Sequence, residues 1–434
     1  MFIKPIAAVH LMLVILFSFI TSPAIFAASE LRLQDLISEL VKSNPELVAA
    51  EARYQAALLK PSIVRSYPDP RITFGWMSAG TILPGGSIGE DPNANISIQV
   101  AQMFPYAGKR DLRSGIADKE AENLKWMRAS DLNSRIAALK SAYYELASVH
   151  DILDVFDENK DLLLQLQKVA EARYSIGKTM QQDLIRTGTE LAILENRKLT
   201  WMQRKASLAA EINLLLNRDS TIELGRPEKI EVVTIPDFES LRSIALKNSP
   251  SLKAQQATVN GRQLQVQLTK KELYPDLDLM SGYYYMGELE DMWEVKAEVS
   301  LPIFSRSKQK KETARAELEK IEAQEVYKAS ERSLEFRLRE AYLKAETARN
   351  LLDLYSNRIV PQSYLALESS LASYEAGTID FFAVLANFTT ILQYRMNLYE
   401  QRSEYFKAVA ALEELTAGQV PAGIETLPKK EVQQ

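Results

Sequence analysis

Side chains able to do covalent or redox chemistry are scarce in this 434-residue sequence, which holds no cysteine and only two histidines, His10 and His150. Thiol catalysis, disulfide scaffolds and zinc modules are excluded with them. His150 lies beside the apolar seam of a helical pattern, where a packed or interhelically hydrogen-bonded imidazole is expected rather than a ligand. Met77, Met280, Met286 and Met292 gather around two strand-like segments and invite thoughts of a soft metal such as Cu(I) or Ag(I). No second soft ligand type and no helical methionine pair accompanies them, so no metal site is expected. Glycine-rich phosphate loops, HExxH and nucleophile elbows are absent, and neither an enzyme nor a cofactor is expected. The 52 basic residues are dispersed among 57 acidic ones, with a net charge of −5, which argues against a nucleic-acid partner.

With chemistry set aside, the elements become the message. The chain is 46% hydrophobic and 25% charged, which rules out a polytopic helical membrane protein after the first two dozen residues. Glycine is unusually rare, 16 residues, and five of these fall between Gly75 and Gly89. At the start, Lys4, an apolar stretch over residues 6–20, then Ser22, Pro23, Ala24, Ala27 and Ala28 follow the order of an export signal, with cleavage expected after Ala27. An apolar core of about 15 residues is short of the ~20 that span a bilayer. No cysteine follows for lipid attachment.

The rest is one plan written twice. Leu36, Leu40, Lys42, Asn44-Pro45, Leu47, Ala49 and Ala52 have counterparts 205 residues later in Leu241, Ala245, Lys247, Ser249-Pro250, Leu252, Ala254 and Ala257. Tyr67-Pro68-Asp69 returns as Tyr274-Pro275-Asp276, Phe104-Pro105 as Leu301-Pro302, and the tyrosine and glycine of Tyr174–Gly177 as Tyr374 and Gly377. Landmarks in one order mark a duplicated unit, each copy reading as helix, β-hairpin, very long helix, shorter helix. The boundaries are leader 1–27, first repeat 28–216, linker 217–237, second repeat 238–416 and tail 417–434.

No Gly or Pro occurs from Ile116 to Ile176, and Leu132, Ile136, Leu139, Tyr143, Leu146, Val149 or His150, Leu153 and Phe156 step by threes and fours. In the second copy the stripe is Leu334, Leu338, Ala341, Ala345, Ala348, Leu352, Tyr355 and Ile359. A helix of about 65 residues is roughly 95–100 Å long, too long for a single globular core. Pro361 interrupts the second run and predicts a kink or a change of direction there.

Between the helices, strands are expected at about 71–80, 95–104, 277–286 and 293–302. Trp293, Val295, Ala297, Val299 and Leu301 alternate with Glu294, Lys296, Glu298 and Ser300, giving one apolar and one charged face. Trp76, Tyr283, Tyr284, Tyr285 and Trp293 suit interfacial girdles. Periodicity alone fits a soluble sheet equally well. In lipid, however, four strands per chain cannot close, and an open edge leaves backbone groups unpaired, so a membrane reading demands oligomerisation.

The duplicated plan, the Tyr-Pro-Asp and Phe-Pro/Leu-Pro flanks, and above all YSIGKTMQQDLIRTGTELAILEN and SYEAGTIDFFAVLANFTTILQY resemble the TolC-type outer-membrane efflux channels over nearly all of residues 30–416. FPYAGKR at 104–110 resembles the heavy-metal branch of that family. The resemblance implies a mainly α protein with a membrane β-barrel portion. Three copies would form a 12-stranded β-barrel in the outer membrane of a Gram-negative bacterium, continued by an α-barrel through the periplasm. The implied function is an exit duct that passively conducts substrates after docking to a periplasmic adaptor and an inner-membrane pump. The runner-up is a periplasmic coiled-coil adaptor or spacer.

The resemblance also places sites. The turns after the long helices would be periplasmic tips, making Gly177, Lys178, Thr179, Gly377, Thr378 and Ile379 candidates for adaptor docking. Asp183 and Tyr374 fall where the family has an Asp and a Tyr of a gate network, while Ile379 replaces its basic partner. Ala383 and Ala386 replace constricting aspartates, leaving Asp380, Phe381 and Phe382 as the nearby gate candidates.

Overall fold

The computed structural model describes residues 30–419, without 79, 81, 84 and 306, together with 423–424. The leader expected over 1–27 and most of the tail expected over 417–434 lie outside the described residues.

Each repeat opens with a helix pair whose junction is chemically specified. Helix α1 (Leu33–Ser43) stops at Asn44, whose side chain accepts from Glu46 N and Leu47 N at 3.0 and 3.2 Å and so caps α2 (Pro45–Arg65). The proline at the first helical position has no amide to leave unpaired. Helix α5 (Phe238–Asn248) and α6 (Pro250–Lys271) repeat the device with Ser249 as the cap. The duplicated Asn-Pro and Ser-Pro are therefore cap-plus-proline signals.

The long helices follow. Helix α3 is Lys109–Ser175, 67 residues and about 100 Å at the usual rise per residue, and α4 (Gln181–Leu215) returns alongside it. In the second repeat α7 (Gln309–Leu354), a π-helical turn (Tyr355–Ile359) and α8 (Val360–Ala376) form one continuous helical run, and α9 (Phe381–Leu415) returns. Pro361 does not end the helix. It cannot donate to the carbonyl four residues back, and the widened turn just before it, in which Val360 N reaches Tyr355 O, absorbs that mismatch.

Neither long helix has a core of its own. Helix α3 packs against α2, α4, α6 and α9, and α7 against α5, α6 and α9. The stripe of α3 buries Leu139, Tyr143, Leu146, Val149 and Phe156, so Val149 rather than His150 takes the core position. Leu334, Leu338, Ala341, Ala345, Ala348 and Leu352 of α7 meet Tyr405, Phe406, Val409 and Leu412 of α9. Such burial, not helix propensity, supplies most of the stability of helices this long.

The hairpins form one antiparallel sheet in the order β1-β2-β4-β5, from β1 (Arg71–Met77), β2 (Asn95–Phe104), β4 (Leu277–Tyr285) and β5 (Met292–Val299). The outer strands are shorter than the sequence suggests; β1 stops at Met77 and β5 at Val299. The register aligns Phe74, Ile98, Tyr283 and Trp293 in one row across all four strands, with Trp76, Ile96 and Tyr285 in the row beside it. These apolar side chains are mostly exposed. On the other face stand Thr73, Gln99, Ser97, Tyr284, Glu294 and Lys296, with Gln99 Nε2 donating to Tyr284 Oη at 3.2 Å and Lys296 paired to Glu294 at 2.7 Å. Met77 and Met292 sit on opposite edge strands of the sheet.

The linker runs along the helices rather than away from them. Leu31 bridges to Pro227, Arg226 pairs with Asp151 and Asp154 at 2.6 and 2.7 Å, and Arg402 donates to Ile230 O at 2.6 Å. Within it, β3 (Val233–Thr234) pairs with β6 (Gly423–Ile424). Among the described residues, no helix is long and apolar enough to cross a membrane.

Candidate functional site

The turns joining α3 to α4 and α8 to α9 are built alike. Gly177 has φ 72° and Gly377 φ 80°, left-handed values that glycine adopts without a Cβ penalty. Gly177 N donates to Tyr174 O and Lys178 N to Arg173 O, both at 2.9 Å; Gly377 N to Tyr374 O and Thr378 N to Ser373 O repeat these bonds at 2.9 Å. The paired bonds satisfy carbonyls that the helix ends would leave open, as in the Schellman motif. Each helix then restarts on an acidic residue nearby. The Asp380 carboxylate accepts from Ala383 N at 2.9 Å as the N-cap of α9, and the Asp183 carboxylate accepts from the Thr179 hydroxyl within the first turn of α4.

Residues 178–180 and 378–379 are therefore presented on short, hydrogen-bonded turns. Lys178 and Thr378 are exposed; Thr179 and Ile379 are partly covered. Around them stand the exposed apolar side chains of Tyr174, Ile176, Met180, Ile185 and Phe382.

The gate candidates divide by environment. Tyr374 and Phe381 are buried in one cluster with Leu163, Leu166, Ala170, Leu367, Val384, Leu385 and Phe388, their rings edge-to-face at 5.6 Å. Phe381 is 1% exposed within one chain and packs the helix ends together. Phe382, at 55% exposure, points outward beneath the Arg186 guanidinium, 4.5 Å from its ring centroid. The Asp183 and Asp380 carboxylates are both engaged in local turn bonds.

A basic side chain of the first repeat lies against the second tip. Arg173 stacks over Tyr374 at 4.7 Å and donates through Nη1 to Tyr374 O and, at 3.0 Å, to Glu375 O. It thereby bonds one tip to the other. The Tyr374 hydroxyl and Arg173 Nε are buried without a hydrogen-bond partner, so the tip holds polar capacity unused within one chain. Arg173 and Arg186 were not legible as site residues. Only the position of Arg173 beside Tyr174 hints at it, because the pairing joins residues about 200 apart.

Elsewhere, His150 Nε2 is buried and unpartnered, and the imidazole pKa is lowered to about 4, first by burial and then by Lys205 and Arg226. It is a packed neutral histidine. Among the described residues, no three acidic or histidine side chains gather as a metal site.

Residues 241–418 match the family described as outer membrane efflux protein. The cobalt-zinc-cadmium resistance protein CzcC of Cupriavidus metallidurans is 22% identical over 396 residues, covering 90% of each chain. Among solved structures, the CusC channel aligns with a TM-score of 0.77 at 13% identity, covering 88% of this chain and 91% of the other. The open-state MtrE outer membrane channel of Neisseria gonorrhoeae aligns at 0.74 and 14%, covering 89% of each. These structural likenesses establish a shared fold.

Proposed function

We propose that this chain, whose residues 241–418 match the outer membrane efflux protein family, is a TolC-type channel serving as the outer-membrane exit duct of a tripartite efflux or secretion system. One observation carries the reading: a four-stranded sheet with an exposed apolar face, an opposite polar face, and strands β1 and β5 whose outer edges are unpaired among the described residues. The apolar face belongs against lipid and the polar face around water. Open edges are untenable in a bilayer, so copies of the chain must pair β5 with the neighbour's β1. Directions alternate along the sheet, and this pairing continues the antiparallel order. Three copies close a 12-stranded barrel, and the helices laid below it extend the duct through the periplasm.

The two turns are the periplasmic end. Gly177, Lys178, Thr179, Gly377, Thr378 and Ile379, with the apolar side chains around them, receive the hairpins of a periplasmic adaptor, which links the duct to an inner-membrane pump. Asp183, Tyr374, Asp380 and Phe382 shape its closed end, and Phe381 holds the helices that carry them. The duct is passive and leaves energy coupling to the pump. Similarity to a cobalt-zinc-cadmium resistance protein favours metal cations as the cargo, with selection made by the pump. A periplasmic spacer would have no use for an exposed apolar sheet face. Reconstitution into planar bilayers tests the reading: discrete, long-lived conductance steps are expected, and protein that stays in solution without inserting would overturn it.

A further inference from the structure

At the end of the sheet away from the long helices the two hairpin connections are unequal. Only residues 286–291 join β4 to β5, whereas 78–94 join β1 to β2. The longer connection is folded. Gly86 N donates to Leu83 O at 3.0 Å, Asp91 N to Ser87 O at 3.0 Å and Ala94 N to Asp91 O at 2.9 Å, and residues 85–89 are half-buried. What they pack against is the short turn of the other repeat. A Cβ on Gly89 would stand 3.1 Å from Glu288 N, and one on Gly287 would stand 2.7 Å from Ile88 Cγ2 and 3.0 Å from Gly89 N. Glycine on both sides lets the two backbones come this close.

Burial tells which side of the sheet the connection covers. Alternate residues of a strand face opposite sides. At this end Asn95 and Ser97, on the polar face, are buried, whereas Ile96 and Ile98, on the apolar face, are 46% and 42% exposed. Met286, two residues on from Tyr284 of the polar face, is buried as well, while Tyr285 is exposed. The folded segment therefore hoods the polar side and leaves the apolar side bare.

We propose that residues 85–94 form a hood over the water-facing side of the sheet and are the outer constriction of the duct, limiting the size of what passes its exterior mouth. The inference rests on the duct reading and adds to it a narrow place at the opposite end from the helix-end turns. The hood and the turn beneath it carry Glu90, Asp91, Glu288, Glu290 and Asp291 and no lysine or arginine. Like charges on neighbouring copies repel, so the hoods narrow the mouth without meeting to seal it.

The absence of native cysteine allows a single reporter thiol. Thr73→Cys places it on the polar face, deeper than Gly75 and Met77 from the hooded end. Intact cells producing this variant are labelled from outside with maleimides bearing polyethylene glycol tails of increasing length. Short reagents are expected to react and long ones to be excluded. The size limit is expected to rise when an Asn-Gly pair replaces 78–94, because Met77 and Asn95 are register partners that a two-residue turn can join. Gly287→Val, in the same reporter background, keeps every residue of the hood and drives it off the turn, and is expected to raise the limit too. A size limit unchanged in both variants would overturn the hood as a constriction and leave the duct standing. A reporter that no reagent reaches, with or without the hood, would overturn the water-filled lumen and the duct reading with it.

Discussion

Arg173 shows what single residues contribute at the tips, because one guanidinium bonds two backbone carbonyls and covers a ring of the other repeat. Asp183 holds the first turn from inside through Thr179. If that turn belongs to a gate, Asp183→Ala loosens the closed end and raises single-channel conductance; an unchanged conductance would contradict the role. His150 has a different signature. Its folded pKa is depressed to about 4 against about 6.5 for a free imidazole, so between those values the unfolded chain binds a proton that the folded one refuses. Its contribution to stability is therefore present above about pH 6.5 and is lost as pH falls toward 4. Lys205 and Arg226 push in this direction and Asp154 opposes them. Thermal unfolding of His150→Gln and the parent at pH 5 and pH 7 checks it: the variant is expected to lose less stability on acidification than the parent. At this scale the sequence was only partly readable. Gly177 and Gly377 announce turns by type, whereas Arg173 cannot be matched to Tyr374 without knowing which helix ends lie side by side.

Helices and strands were far more legible, because their faces are written in the period of the apolar residues. Leu334, Leu338, Ala341, Ala345, Ala348 and Leu352 fall on one buried stripe, and the alternation through Trp293 and Val295 gives the apolar sheet face. What a period does not give is the partner: nothing in α3 says that it lies against α6 and α9 as well as α4. Nor does it distinguish a kink at Pro361 from a π-helical turn before it. Pro361→Ala supplies the missing amide, and the turn over Tyr355–Ile359 is expected to tighten to α-helix, visible as slower amide hydrogen exchange there; unchanged exchange would contradict the explanation. At the tips, Gly377→Val forces a side chain into a left-handed backbone at a cost of about 1–2 kcal/mol. Adaptor co-purification should weaken while the oligomeric mass stays intact. Phe381→Ala removes a buried ring, costing about 3–5 kcal/mol of packing at the helix ends. A lower melting temperature and a leaky closed state are expected, and a tight, fully stable duct would show that the cluster does not hold the end shut.

On the scale of the whole molecule, the two repeats, the open sheet and the long helices are incomplete as a single chain. The sheet has an apolar face without a cover and two edges without neighbours among the described residues, and α2 and α7 each expose an apolar stripe at the ends of the row. Closure by identical copies satisfies all of these at once, and threefold closure turns two repeats per chain into six around a ring. Duplication was visible in the sequence through Tyr-Pro-Asp and the tip glycines; the number of copies was not, since it depends on the curvature between neighbours. The decisive measurement is the mass of the protein extracted from outer membranes in detergent, by light scattering with the detergent contribution subtracted. The account predicts a trimer in that fraction. A water-soluble monomer released with the periplasm would contradict it.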